Sequence, residues 1–237
     1  MPNKTVKVRL ERGAPDNLFV SKLAGVKLAL AEQENERARE DVEFRRLIEE
    51  TLASGGRSSY IQICAPYELY ALTRLRKPKH IVEVGVSAGV SSTYFLRALE
   101  SNGGGVLHSI DLPERQKEDE PPSKRSWGSW ALPLGKEPGW AIPQNLKKDW
   151  DLRLGKSSDV LPDLINEIDT VDLFLYDVPY EIEGAIQDFK TVDEKLGRGG
   201  IVLADNCLVP ISWWAKTRGR ARLYTRRNSG LRGFSIS

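Results

Sequence analysis

The most informative part of the sequence is Val82-Glu83-Val84-Gly85-Val86-Ser87-Ala88-Gly89-Val90-Ser91. A short β-branched run over residues 81–84 leads into two glycines, and helical periodicity follows over residues 90–101. Glycine at a strand-to-helix junction lets the backbone turn tightly and approach a ligand. The stretch therefore predicts the start of a βαβ unit with a binding site at the junction.

Outward from this junction, strands and helices continue to alternate. The pattern predicts further helices over residues 160–168 and 181–196, and seven strands in all, over residues 81–84, 105–110, 151–154, 171–176, 200–204, 222–225 and 231–236. Continuous apolar strands are typical of a parallel sheet that is covered on both faces, whereas an Asn-Ser-Gly turn before the last strand indicates a hairpin. We expect a doubly wound α/β fold with a mostly parallel seven-stranded sheet and a C-terminal antiparallel hairpin.

Two segments lie outside this alternation. Residues 16–54 predict one or two amphipathic helices and residues 66–76 a further helix, so we expect an N-terminal helical extension over residues 1–60 and a main domain over 61–237. Residues 113–148 contain six prolines and three tryptophans without periodicity, which indicates an insertion at the ligand-binding edge. Its tryptophans either form an aromatic lid or only bury the loop, and both interpretations remain open; they are Trp127, Trp130 and Trp140.

The bulk properties exclude several classes of protein. Apolar residues make up 40% and charged residues 29% of the 237-residue chain, values typical of a folded globular protein. Two distant cysteines, and no apolar run that could cross a bilayer, predict a reduced cytoplasmic protein without a membrane partner. Seven Lys and Arg residues and no acidic residue follow residue 206, which leaves a nucleic-acid partner possible. The N-terminal helices are a candidate homodimer interface.

The spacing of the glycine turn favours one kind of ligand. A dinucleotide site usually has a third glycine where Ser87 stands, so a pyrophosphate is disfavoured. S-adenosylmethionine has no pyrophosphate, and Glu83 would help to hold its amino acid end. Asp111 follows the next strand, 22 residues beyond Gly89, where a carboxylate can accept hydrogen bonds from ribose hydroxyls. We therefore take Glu83, Gly85, Ser87, Gly89 and Asp111 as cofactor-binding candidates.

Acidic residues also follow the later apolar strands. Asp177 ends one strand, and Asp205 and Asn206 end the next, so these residues are expected at the same carboxyl edge as the glycine turn. Two carboxylates and an amide suit a hard cation such as Mg²⁺. The alternative is that Asp205 and Asn206 cap the following turn, while Asp177 binds the cofactor or the glycine turn.

These motifs together resemble the class I methyltransferases, particularly the cation-dependent O-methyltransferases of the catechol and caffeoyl-coenzyme A type. Methyltransferase family 24 is also similar, including the stretch Glu137-Pro-Gly-Trp-Ala-Ile-Pro143 and the turn near Gly155. The resemblance covers about residues 60–237 and implies a Rossmann-like fold. It implies that Asp177, Asp205 and Asn206 bind the metal. Asp177 is also a cofactor-binding candidate.

The resemblance extends to further positions. It implies that Gly85 and Ser91 line the methionine end of the cofactor and that Ser157 or Ser158 lies near its adenine. Relatives commonly have a lysine or histidine three positions after the first metal aspartate, whereas this chain has Tyr180. Tyrosine has a reference pKa near 10, so Tyr180 would act as a base only in a strongly perturbed environment. Asp177 and Tyr180 are the catalytic candidates.

The sequence thus predicts an S-adenosylmethionine-dependent methyltransferase that methylates an oxygen of a small molecule with the help of Mg²⁺. The alternatives are an RNA or protein methyltransferase that uses the same pocket, or a non-catalytic member that binds only the cofactor or a partner. His80 and His108 fall within or next to strands, which favours packing or surface positions over catalysis.

Overall fold

The computed structural model describes residues 14–54, 65–113, 132, 135–178, 182–205, 210–212, 214, 224–225 and 231–235. In these ranges seven strands form one sheet: β1 (His80–Val84), β2 (Val106–Asp111), β3 (Trp150–Leu154), β4 (Val171–Tyr176), β5 (Leu196–Ala204), β6 (Tyr224–Thr225) and β7 (Arg232–Ser235). The order is β3-β2-β1-β4-β5-β7-β6, with β1 to β5 parallel and β7 antiparallel to both neighbours. The predicted fold class is confirmed.

Helices cover both faces of this sheet. They are α1 (Asn17–Ala24), α2 (Leu28–Glu40), α3 (Val42–Ser54), α4 (Pro66–Arg76), α5 (Val90–Asn102), α6 (Ser157–Glu167) and α7 (Ile182–Asp193), with a 3₁₀ helix over Gln144–Asp149. One hydrophobic core joins α1, α4 and α5 to the sheet, and a second core lies between the sheet and α6 and α7.

The N-terminal segment forms three helices, so the prediction of one or two was too low. Gly25 ends α1 in the left-handed conformation, at φ 67°, and Asp41 separates α2 from α3. The stretch between Gly25 and Asp41 is largely polar. Few apolar residues are therefore present whose spacing would indicate where one helix ends and the next begins.

Helix α1 packs into the main core. Phe19 and Leu23 share a buried cluster with Leu203 of β5. Gly233 of β7 lies so close that an added Cβ would be 2.9 Å from Leu23 Cδ1. The first described helix and the last strand therefore meet. The predicted domain boundary at residue 60 lies outside the described residues.

Several element boundaries differ from prediction. Helix α6 begins at Ser157 instead of residue 160, because the prediction relied on apolar periodicity and the first turn is polar. Helix α7 ends at Asp193 instead of residue 196. Strand β5 begins at Leu196 instead of residue 200. A register shift opposite Val171 to Leu173 of β4 accommodates its first residues. None of the described helices is long and apolar enough to span a membrane.

Candidate cofactor site

Four candidate residues meet at the carboxyl edge of the parallel strands. Backbone N–H groups tie Gly85 to the end of β2 at 2.9 Å, Asp177 to the end of β1 at 2.9 Å, and Asp205 to the end of β4 at 3.0 Å. Asp111 is the last residue of β2. The structure thus brings together the residues that follow β1, β4 and β5, as the sequence indicated.

The glycine loop, residues 85–89, depends on close backbone contacts. An added Cβ on Gly85, whose φ is 99°, would lie 2.0 Å from the carbonyl oxygen of Asp177. An added Cβ on Gly89, at φ 88°, would lie 2.7 Å from Cα of Gly139. Ser87 also has a positive φ, of 49°. Side chains at the two glycine positions would displace the loop from its neighbours.

Glu83 lies beneath this loop and is completely buried. Its carboxylate accepts hydrogen bonds from the hydroxyls of Ser91 at 2.5 Å, Ser92 at 2.6 Å and Ser109 at 2.7 Å. Burial raises the pKa of Glu83, while the three hydroxyls oppose this rise. Glu83 therefore joins β1, β2 and the first turn of α5, and the predicted cofactor residue Ser91 is one of its donors.

Asp111 holds the loop from the neighbouring strand. Its Oδ2 accepts hydrogen bonds from the backbone N–H of Val86 at 2.7 Å and of Ser87 at 2.9 Å. Its carbonyl oxygen accepts a hydrogen bond from Gly155 N at 2.9 Å, next to the start of α6. The side chain is partly exposed. Asp111 thus fixes the loop with one oxygen, a contact that the spacing alone did not reveal.

Part of the predicted insertion packs on the glycine loop. We call residues 135–142 the strap. Gly139 N donates to Ser87 O at 2.9 Å, and Ala141 N donates to Ala88 O at 3.0 Å. Ala141 and Ile142 are buried. The glycine at position 139, among the conspicuous Glu-Pro-Gly-Trp residues, was the available signal for such a close contact.

The tryptophans differ in their surroundings. Trp140 in the strap packs beside Tyr67 and Ala88 in a third buried cluster, with the Lys136 ammonium 5.1 Å from its ring centroid. Trp214 is 2% exposed, and its ring lies tilted against that of Phe189, with the centroids 6.1 Å apart, in the core beside α7. The other two tryptophans of the predicted insertion, Trp127 and Trp130, lie outside the described residues.

The two predicted adenine-site serines begin α6. Ser157 donates to the buried carboxylate of Asp188 at 2.5 Å, and Ser158 donates to Asp159. Burial raises the pKa of Asp188, while Ser157 and Tyr176 oppose this by hydrogen bonding. Ser157 therefore joins α6 to α7, and an adenine contact by either serine stays a prediction.

Asp177 and Asp205 form what we call the acidic pair. Burial, followed by the negative charges of Asp205 and Glu83, raises the pKa of Asp177 to about 8. In the described part of the chain no group of three His, Cys, Asp or Glu side chains could hold a metal ion. The third predicted ligand, Asn206, and the predicted base, Tyr180, lie outside that part.

The histidines lie away from this edge. His80 begins β1, and its Nδ1 is 3.1 Å from Nε2 of His108. His108 is 8% exposed, and its Nδ1 is 3.0 Å from Oδ2 of Asp151. Burial and the nearby His108 lower the pKa of His80. Both histidines serve packing within the sheet, as the sequence favoured.

Comparison with solved structures supports this arrangement of the fold. An O-methyltransferase from Bacillus cereus in complex with SAH has 16% identity and a TM-score of 0.55, over 81% of this chain and 91% of that one. A putative caffeoyl-CoA O-methyltransferase from Staphylococcus aureus has 12% identity and a TM-score of 0.55, over 89% and 100%. An SAH-bound methyltransferase from Podospora anserina has 15% identity and a TM-score of 0.51, over 81% and 86%.

A search of curated proteins found no match. The family model described as a methyltransferase domain, methyltransferase family 24, matches residues 82–207, slightly more than half of the chain. The match begins in β1 and ends just beyond Asp205, so it includes the glycine loop, Asp111, the strap and the acidic pair. The chain therefore belongs to this methyltransferase family and is a class I S-adenosylmethionine-dependent methyltransferase.

Proposed function

We propose that the protein methylates an oxygen atom of a small molecule, with a divalent cation such as Mg²⁺ held by Asp177 and Asp205. Asn206 is the third predicted ligand. The carrying observation is that β4 and β5 deliver two carboxylates to the edge where Gly85 and Asp177 are in backbone contact. Two structural neighbours are themselves named as O-methyltransferases, one of them a putative caffeoyl-CoA enzyme.

The residues around Asp111 fit an adenosyl group. The loop N–H groups use Oδ2 of Asp111, which leaves Oδ1 for ribose hydroxyls. Leu112 is 61% exposed, and Leu154, the partner of Asp111 across β2 and β3, is 52% exposed. Exposed leucines beside a polar anchor suit the cover of a flat, largely apolar ring. We infer that adenine lies against these leucines.

The acidic pair fits a hard cation by its chemistry. The negative charge of Asp205 helps to raise the pKa of Asp177, because two neighbouring carboxylates repel one another, and a divalent cation with oxygen ligands would remove that repulsion. When bound, the cofactor supplies an electrophilic methyl group, and the cation favours deprotonation of the acceptor hydroxyl. The chain's part is positioning: Asp111 and the glycine loop orient the donor, and the acidic pair orients the acceptor beside it.

Methyl transfer to a hydroxyl group involves two bond changes and the loss of one proton. A C–O bond forms at the acceptor, the C–S bond of the sulfonium breaks, and the acceptor hydroxyl loses one proton. Tyr180 and Asp177 are the predicted participants in proton removal. Because the acceptor must approach the sulfonium methyl in line, most of the rate enhancement is expected from orientation.

Transfer of a radiolabelled methyl group tests the proposal. The protein is incubated with labelled S-adenosylmethionine and a panel of small hydroxylated aromatic compounds, with Mg²⁺ or with EDTA. We expect label in a small product only with Mg²⁺, and its loss in Asp205→Asn. Asp163→Asn, which alters an exposed carboxylate on α6, is the matched control and should remain active.

Two results would contradict the proposal. Label that enters added RNA or protein instead of the small compounds would favour the alternative acceptors. Transfer that proceeds equally in EDTA and in Asp205→Asn would remove the cation from the mechanism.

A further inference from the structure

Trp150, the first residue of β3, contacts two separate parts of the cofactor site. Its indole Nε1 donates to the hydroxyl oxygen of Ser109 at 2.9 Å. Its six-membered ring lies against the strap, since an added Cβ on Gly139 would be 2.2 Å from Cη2 of Trp150. One side chain thus reaches both the polar groups beneath the glycine loop and the strap that packs on it.

We propose that Trp150 is a positioning residue for the cofactor site, which orients Ser109 toward Glu83 and seats Gly139 of the strap against the glycine loop. It does not belong to the set that the spacing or the resemblance singled out, and its effect on the cofactor passes through other residues.

The hydrogen bond from the Trp150 indole orients Ser109 because a hydroxyl has one hydrogen to donate and also accepts hydrogen bonds. Ser109 has one hydrogen, and it donates this hydrogen to Glu83 at 2.7 Å. Ser109 is completely buried, so its lone pair needs a protein donor, and the indole N–H of Trp150 supplies one. An accepted hydrogen bond from Trp150 keeps the hydroxyl hydrogen directed at Glu83.

Glu83 passes this constraint to the loop. It also accepts hydrogen bonds from Ser91 and Ser92, in the first turn of α5 directly after Gly89. Hydrogen bonds in such a buried chain strengthen one another. Loss of the Trp150 donor therefore loosens the junction of β1 and α5, where the cofactor binds.

The ring side acts through van der Waals contact. Gly139 is packed between Trp150 and Gly89, whose added Cβ would lie 2.7 Å from Gly139 Cα. The Lys147 ammonium lies 5.4 Å from the ring centroid of Trp150 and further restricts the ring. The ring thereby sets how closely the strap approaches the loop.

Calorimetric titration with S-adenosylhomocysteine tests the proposal without knowledge of the acceptor. The proteins are the unchanged chain, Trp150→Phe, Ser109→Ala and the double variant. We expect Trp150→Phe to weaken binding about threefold to tenfold, the worth of one hydrogen bond. The loss of affinity in the double variant should be smaller than the product of the two single losses, because the indole N–H acts through Ser109 while the ring contact with Gly139 contributes independently.

Trp214→Phe is the matched control, since Trp214 is a buried tryptophan in the core on the α6 and α7 side of the sheet. It should lower the unfolding temperature and leave S-adenosylhomocysteine affinity unchanged. Trp150→Tyr, which keeps a large ring, replaces Trp150→Phe if the latter lacks a native near-ultraviolet spectrum.

Several outcomes would overturn the inference. They are unchanged affinity in the Trp150 variants, effects of Trp150 and Ser109 that multiply independently, and an equal loss of affinity in Trp214→Phe. Absence of binding by the unchanged chain would overturn the cofactor site together with the inference.

Discussion

We propose that Asp111 combines two tasks in one carboxylate, one in the loop and one in cofactor binding. Oδ2 holds the N–H groups of Val86 and Ser87, while the other oxygen is available to a ligand. Because an amide oxygen can still accept from backbone N–H groups, Asn at this position separates the two tasks. A carboxylate binds hydroxyl donors more strongly than an amide does.

We expect Asp111→Asn to weaken S-adenosylhomocysteine binding about tenfold while the unfolding temperature changes little. Asp111→Ala should lower both the S-adenosylhomocysteine affinity and the unfolding temperature, because the loop N–H groups lose their acceptor. Calorimetry and thermal unfolding on the same preparations measure the two effects. Equal destabilisation of both variants would contradict this division of tasks.

The pKa of Asp177 predicts a dependence of stability on pH. Burial and the charges of Asp205 and Glu83 raise it to about 8, whereas an unfolded aspartate has a pKa of about 3.9. Between about pH 4 and pH 8 the folded carboxyl keeps a proton that the unfolded chain releases. The free energy of unfolding therefore falls as the pH rises through this window.

Asp177→Asn removes this dependence. In EDTA we expect the variant to unfold at a higher temperature than the unchanged protein at pH 8.5, and the gain to shrink toward pH 5. Differential scanning calorimetry at both pH values measures it, with Asp163→Asn as the control for loss of an exposed carboxylate. A gain that is the same at both pH values would contradict the assignment.

For single residues, the sequence predicted their location at the site better than the hydrogen bonds that they form. The strand ends placed Glu83 and Asp111 at the site, because a strand followed by glycine or by a carboxylate is a local pattern. The donors that hold Glu83 include Ser109, which is itself held by Trp150. Such contacts depend on strand register and could not be derived from spacing.

Among the elements, the strap is the part that local patterns concealed. It has no helical or strand periodicity, and its described residues before the 3₁₀ helix form turns. Its order comes from hydrogen bonds to Ser87 and Ala88, which are distant in sequence. The predicted helices and strands were found because their periodicity is local, whereas the strap depends on tertiary contacts.

Two glycines of the strap provide a matched pair of variants. Gly139 has φ 70° and Gly135 has φ 73°, but an added Cβ meets Trp150 only at Gly139, while Gly135 has nothing within 4 Å. Both Ala variants bear a similar backbone cost. We therefore expect Gly139→Ala to weaken S-adenosylhomocysteine binding at least tenfold and Gly135→Ala to change it little.

Thermal unfolding of both variants is measured alongside the titrations, so that their affinities are compared at a temperature where both are equally folded. Similar affinities of the two variants would mean that contact between strap and ring does not shape the site.

For the whole molecule, the association state stays a prediction. Exposed apolar side chains occur along α1, α2 and α3; they are Leu18, Leu28, Leu30, Val42 and Leu47. A homodimer through these helices would cover them. We expect twice the chain mass in light scattering and a shift toward monomer in Leu28→Glu/Leu47→Glu.

Leu154→Glu, which changes an equally exposed leucine at the end of β3, should leave the mass unchanged. A monomeric mass of the unchanged protein would end the dimer prediction.

The meeting of α1 with β7 has a consequence for synthesis in the cell. Strand β7 lies between β5 and β6, and Gly233 contacts Leu23 near the other end of the chain. During synthesis, β7 covers α1 and the outer edge of β5 only after residue 235 has left the ribosome. Until then, apolar surface of these elements stays exposed. Nascent chains arrested before that point should recruit chaperones, and release of the last strand should end this dependence.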